Sequence, residues 1–147
     1  MSTLAFTSAG SAIYISAGTP ATLDVPGFAA LSYTKIGDIT DLGGVGPAVG
    51  NVTHVPVDQA VTFKYKTIVD NGSMALKGAR VTTDAGQTIL IAAVASYANY
   101  SFKVVLQNGA IIYFQGLADS YKTNIGTAGV ITSFDCNVLV NGNIYNA

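Results

Sequence analysis

From Val130 to Val140 the chain alternates between two faces. Val130, Thr132, Phe134, Cys136, Val138 and Val140 share one, while Ile131, Ser133, Asp135, Asn137 and Leu139 share the other. A period of two belongs to an extended strand with one side against a core, and a helix cannot bury such a set on one stripe. A second long signal agrees. Tyr100, Phe102, Val104 and Leu106 fall in phase, Asn108-Gly109 follows, and Ala110–Gly116 returns. Asn-Gly tolerates φ > 0 at both central positions, which predicts a hairpin with a type I′ turn. The return strand continues as LADSYKT, and Gly116 is expected to mark a bend or bulge.

Shorter segments repeat the theme. Ala12–Ser16, Leu31–Ile39, Val52–Val57 and Val61–Tyr65 read as strands or extended chain, with Pro56 marking an edge or an end. Met74–Val81 alternates more weakly, Met74 and Leu76 standing against Ala75 and Lys77. One helix interrupts, over about residues 85–97. Asp84 is its expected N-cap and Gln87 completes a D-x-x-Q capping box. Ile89, Ala92, Ala93, Ser96 and Tyr97 repeat at helical spacing, and so wide an apolar arc requires packing on a sheet. Asp41–Gly50 (DLGGVGPAVG) reads as a loop. All eight acidic residues are Asp and none is Glu, a bias toward turns and caps and away from helices. A chain of 147 residues suits one domain spanning 1–147.

Charge is scarce. Seven basic and eight acidic side chains must serve a surface of roughly 7,000 Å² for a compact chain of this mass. Half the residues are apolar and mean hydropathy is +0.44, yet the longest unbroken apolar run, Ile89–Ala95, is far too short to span a membrane. Residues 1–18 contain no Lys or Arg, so no secretory signal is expected. A net charge of −1 argues against gripping nucleic acid through its phosphates. The lone cysteine precludes an intrachain disulfide and suits a reducing compartment. Such a surface must rely on hydroxyl and amide groups or be covered by partners. The composition is that of a building block.

Catalytic signals are weak. His54 is the only histidine, with no G-x-S-x-G motif and no second ligand at metal spacing, so it reads as a structural or interface residue. Cys136 lies in phase with Phe134 and Val138 and reads as a buried thiol. GGVGPAVG lacks the G-K-[ST] ending of a phosphate loop and leads into a strand. Asp38 and Asp41 lack the carboxylates of a calcium loop. Lys64, Tyr65 and Lys66 interleave charge and aromatics as a single-strand binder would, but two lysines are too few. No enzyme, cofactor or metal is expected.

The order of motifs supplies more. KIGDITDL (Lys35–Leu42) precedes a Gly/Pro loop and a strand; a segment rich in aromatics and lysines follows; NGSMAL (Asn71–Leu76) leads toward the helix; then come FKVVLQNGAIIYFQGLADSY (Phe102–Tyr121) and VITSFDCNVLVNG (Val130–Gly142). Over roughly residues 12 to 142, this resembles the major tail tube proteins of long, non-contractile-tailed (siphovirus-type) bacteriophages. The resemblance implies a mainly β fold, a β-sandwich or barrel-like domain with one flanking α-helix. It implies six subunits closing into a ring, with rings stacked into a tube through which DNA is ejected. Expected partners are other copies of the chain and the tape-measure, tail-tip and tail-terminator proteins, with DNA passing unbound and no membrane. The expected location is the virion tail, assembled in the host cytoplasm. Residues 1–11 would be an N-terminal arm. Segment 57–72 would be an inter-ring loop, with Asp58, Phe63, Lys64, Tyr65 and Lys66 as contacts.

A conduit must not adhere to its cargo, so its lining should be neutral or acidic. Ser133, Asp135 and Asn137, the polar phase of an otherwise apolar strand, are the expected lumen-facing residues. The competing reading is a carbohydrate- or surface-binding β-sandwich of adhesin type, for which the scattered aromatics and many Asn and Thr residues would suit sugar stacking. Against it stand the missing Trp, the absent signal and the free cysteine.

Overall fold

A computed structural model of the chain describes residues 5–147; the first four residues of the expected arm lie outside them. Among the described residues nine strands and two helices follow in the order β1 (Ala12–Ser16), α1 (Val25–Ala29), β2 (Thr34–Lys35), β3 (Ile39–Asp41), β4 (Ala48–His54), β5 (Phe63–Asp70), β6 (Ser73–Ala79), α2 (Ala85–Ala95), β7 (Tyr100–Val105), β8 (Ile111–Asn124) and β9 (Ser133–Asn146). Seven strands form an antiparallel sheet in the order β2-β1-β7-β8-β9-β6-β3, and β4 and β5 form a separate ribbon.

Only Ile36, Gly37 and Asp38 separate β2 from β3, yet these strands are the opposite edges of the sheet. Four residue steps reach about 14 Å at most, whereas seven strands laid flat would be about 29 Å across. The sheet must therefore curl until its edges approach, and the fold is mainly β and barrel-like, as expected. Bulges on the β8–β9 pair at Tyr113/Gln115 and Ala118/Ser120 add the local twist that such curling needs.

One core fills the concave side. Ile13, Ile15, Met74, Leu76, Phe102, Val104, Phe114, Phe134, Cys136 and Val138 project from the sheet, and Leu90 and Ala93 of α2 close over them. At the seam the side-chain amide of Gln87, fully buried, donates to Gly37 O and Ala79 O and accepts from Val81 N. The Asp84 carboxylate caps α2 through Gln87 N and also accepts from Gly37 N. Backbones meet there without room for side chains. A Cβ on Gly86 would lie 2.1 Å from Lys35 O, and one on Gly78 would lie 2.4 Å from Asp38 O.

Several expectations need correction. Helix α2 ends at Ala95, and Ser96 is its C-cap. Its buried positions are Gly86, Gln87, Leu90 and Ala93, while Ala92 and Tyr97 are exposed, so the helix is rotated relative to the predicted stripe. The capping box is only half formed, because the Gln87 side chain reaches across the seam and not back to Asp84. A second helix, α1, was not expected. Asp24 caps it through Gly27 N, and Pro26 sits in its first turn, a start signal present in the sequence. Phe28 of α1 covers the convex side, stacking near Tyr113 and Tyr145.

The β7–β8 turn is not type I′. Gly109 N donates to Leu106 O and Leu106 N to Ala110 O, with positive φ at Gly109 alone, which is a three-residue type I turn with a bulge. Gly116 itself pairs regularly with Tyr100 and Val140 and is excluded from bearing a side chain by Val138 and the Leu139 carbonyl; the bulges flank it, at Tyr113/Gln115 and Ala118/Ser120. Leu31–Ile39 is not one strand but two, split across the seam. Ala48–Gly50, read as loop, opens β4. Strand β9 starts only at Ser133, leaving Val130 and Ile131 in the preceding turn, and runs on to Asn146.

Candidate assembly surfaces

The β4–β5 ribbon contributes nothing to the core. Every residue of both strands is exposed. Its register places Val52 opposite Tyr65 and His54 opposite Phe63, while Asn51 faces Lys66 and Thr53 faces Lys64. Paired residues share a face and neighbours alternate. The outer half of the ribbon is thus two-sided, with Val52, His54, Phe63 and Tyr65 on one side and Asn51, Thr53, Lys64 and Lys66 on the other. Pro56 ends the outgoing segment by accepting at its carbonyl from Gln59 N and Ala60 N. Segment 57–72 therefore supplies the tip and return strand of a paired ribbon, and Asp58 sits exposed at the tip. The strand read at Val61–Tyr65 begins at Phe63 and pairs with β4 of its own chain.

The ribbon's base is anchored at the carboxyl end of β9. The Asn71 side-chain amide donates to Gly142 O, and a cavity of about 290 Å³ there is lined by Pro47, Val69, Ile112, Asn143, Ile144 and Asn146 among others. At the other end of β8 and β9 is their connecting turn. Ile125, Val130 and Ile131 are 71%, 56% and 78% exposed there. Alternation had assigned Val130 to the core-facing side; it lies outside the strand, so that phase does not apply to it.

Ser133, Asp135 and Asn137 project from the face of β9 opposite the core, partly exposed. The sheet adds what β9 alone does not reveal. Asp135 stands between Lys77 of β6 and Lys122 of β8 in register. Its carboxylate accepts from Asn124 Nδ2 at 2.9 Å, and Asn137 Nδ2 donates to Asp119 at 3.0 Å. Two lysines and two aspartates make this strip formally neutral.

Chemically reactive groups are dispersed. His54 lies on the exposed ribbon and Cys136 is buried beneath β9. Burial, with the Asp119 charge second, pushes the Cys136 thiol up to about 12, away from thiolate chemistry. The exposed Asp41 carboxylate accepts from Gly43 N, two residues on. Among the described residues no three His, Cys, Asp or Glu side chains gather as a metal site would need.

No protein-family model matches the sequence, and no curated protein matches it. Solved structures do. A chain from the cryo-EM structure of the anti-feeding prophage baseplate, 6-fold symmetrised, superposes with a TM-score of 0.69 at 10% identity, covering 98% of this chain and 97% of that one. A chain from the cryo-EM structure of an extracellular contractile injection system, described as the PVC sheath/tube terminator in the extended state, gives a TM-score of 0.72 at 8% identity, covering 97% and 96%. The protein accordingly has a fold found in chains of phage-tail-like injection particles.

Proposed function

We propose that this protein is a structural subunit of a phage-type tail, and that it self-assembles into stacked hexameric rings forming the tube through which DNA leaves. One observation carries the reading. An entirely exposed ribbon, with Val52, Phe63 and Tyr65 on one face, projects from a chain with very few charges. Exposed apolar ribbons of this kind are liabilities unless another chain covers them. Full-length likeness to chains from two tail-like particles supports the assignment, and the 6-fold symmetrised baseplate supports six copies per ring. The finer assignment, to the tube of long non-contractile tails, rests on the motif order from KIGDITDL to VITSFDCNVLVNG. Other tail proteins, including a tape-measure protein and a terminator, are the implied partners, and the virion tail is the location. Neither catalysis nor a cofactor has a part in this role.

Cryo-electron microscopy of particles from the producing host tests it. The chain should be traced in consecutive six-fold rings along the tail. Particles whose tube is built of another protein overturn the reading. A monomer at every concentration that binds glycans would favour the adhesin-type alternative.

A further inference from the structure

Three asparagines are followed directly by glycine: Asn71, Asn108 and Asn141. In such a pair the glycine nitrogen can attack the asparagine side-chain carbonyl carbon, because glycine has no side chain to block the approach. The nitrogen must first give up its proton, so a hydrogen bond from that N–H opposes the reaction. The fold treats the three pairs unequally. Gly109 N donates to Leu106 O at 2.9 Å, and the Asn108 side-chain oxygen accepts from Ala110 N at 3.1 Å. Gly72 N donates to the Asp70 carboxylate at 2.9 Å, and Asn71 is buried with its amide on Gly142 O. Asn141 is exposed, and its amide donates to the Asn99 side chain at 3.0 Å. Gly142 follows in irregular backbone. Between the pairs Gln115–Asn141 and Tyr113–Tyr145, β9 has three residues where β8 has one, and Gly142 takes φ +88. A cavity of about 90 Å³ adjoins it, lined by Gln115, Asn141, Gly142 and Asn143 among others. That is room for more than one water, with polar groups to hold it.

We propose that Asn141 is a site of spontaneous deamidation, and that its isoaspartate product loosens the base of the ribbon. Gly142 N gives up its proton and bonds to Asn141 Cγ, while Nδ2 takes up a proton and leaves as ammonia. Water then adds to one of the two carbonyls of the resulting five-membered imide. Opening at one carbonyl gives aspartate; opening at the other gives isoaspartate, whose backbone runs through the side-chain carbons. The isoaspartate lengthens β9 by one methylene, about 1.5 Å of bond. The insertion falls at a sensitive place. Val140 N donates to Gly72 O, and Gly142 O accepts from the Asn71 amide, so the Asn71-Gly72 junction between β5 and β6 grips β9 on both sides of Asn141. With an extra backbone atom between the two grips, both cannot keep their register.

Peptide mapping by mass spectrometry of the folded chain, aged in mildly alkaline buffer, tests the site. Asn141 should convert several-fold faster than Asn71 and Asn108. The three rates should converge in urea, where the fold no longer distinguishes them. Asn141→Gln, whose longer side chain would have to close a larger ring, should remove the fast signal. Conversion of Asn71 or Asn108 as fast as Asn141 in the folded chain overturns the assignment, as does an Asn141 that stays intact while the unfolded chain converts. Hydrogen exchange of the isoaspartate fraction, separated by chromatography, tests the consequence. Amides of residues 70–73 should exchange several-fold faster than in fresh protein. Unchanged exchange would keep the site and remove its effect on the ribbon.

Discussion

Gln87 Nε2 donates to the carbonyl oxygen of Gly37 at 3.0 Å, tying the first turn of α2 to the three residues that bridge the two edges of the sheet. The same amide holds Ala79 O and Val81 N, so one buried side chain satisfies three backbone groups on two segments. Replacing Gln87 by Ala should cost about 2–4 kcal/mol, since several buried polar groups would lose their partner together. Urea denaturation of the subunit measures this, and a loss below 1 kcal/mol would show that water takes the amide's place.

Close backbone approach makes a second, sharper test. Gly86→Ala would set a methyl against Lys35 O and should destabilise by roughly 2–3 kcal/mol, or prevent folding. Gly44→Ala meets nothing within 4 Å and should stay within about 0.5 kcal/mol of the parent. Equal effects at the two sites would contradict the seam.

Cys136 should resist alkylation at pH 8 until the chain unfolds, because its thiol is buried and its pKa is raised to about 12 from the ordinary 9.0. Linkage follows with a definite sign. Between those values the unfolded chain has lost the proton and the folded chain keeps it, so this thiol's contribution is complete below about pH 9 and declines as pH rises toward 12. Cys136→Ala should flatten that part of the stability profile. Rapid native-state labelling would refute the burial.

On the polar strip, Asp135→Lys would place a third cation between Lys77 and Lys122. If this strip lines the channel, as the phase of Ser133, Asp135 and Asn137 led us to expect, ejection should slow several-fold while tail length is unchanged, because phosphate contacts would then retain the DNA. Ejection kinetics of mutant virions decide the matter. Rates equal to the parent's would place the strip elsewhere.

Phe63→Ser with Tyr65→Ser should abolish tubes and leave the melting temperature of the isolated subunit unchanged, since neither residue belongs to the core. Micrographs and thermal melts read the two effects separately. Intact tubes would exclude the ribbon from stacking.

The strand inventory was legible because alternation is local. Met74/Leu76, Phe102/Val104 and Phe134/Cys136/Val138 were each placed on a shared face from sequence, and those faces are buried. The N-cap at Asp84 was legible for the same reason: the capping residue and the amide it satisfies are three positions apart. The ends of elements were less so. Val130 and Ile131 continue the alternating pattern, but no neighbouring strand pairs with them, and pairing is what makes a strand.

The sequence by itself determined which side chains seek a core, where an amide caps a helix, and that too few charges exist to wet an ordinary surface. Each of these depends on residue type and short spacing. Only the tertiary structure decided that Thr34–Lys35 and Ile39–Asp41 lie on opposite edges of one curled sheet, that Asp135 stands between two lysines, and that β4 and β5 pair with each other outside that sheet. Those relations join residues tens of positions apart through backbone pairing, and no periodicity in the chain encodes which strands pair.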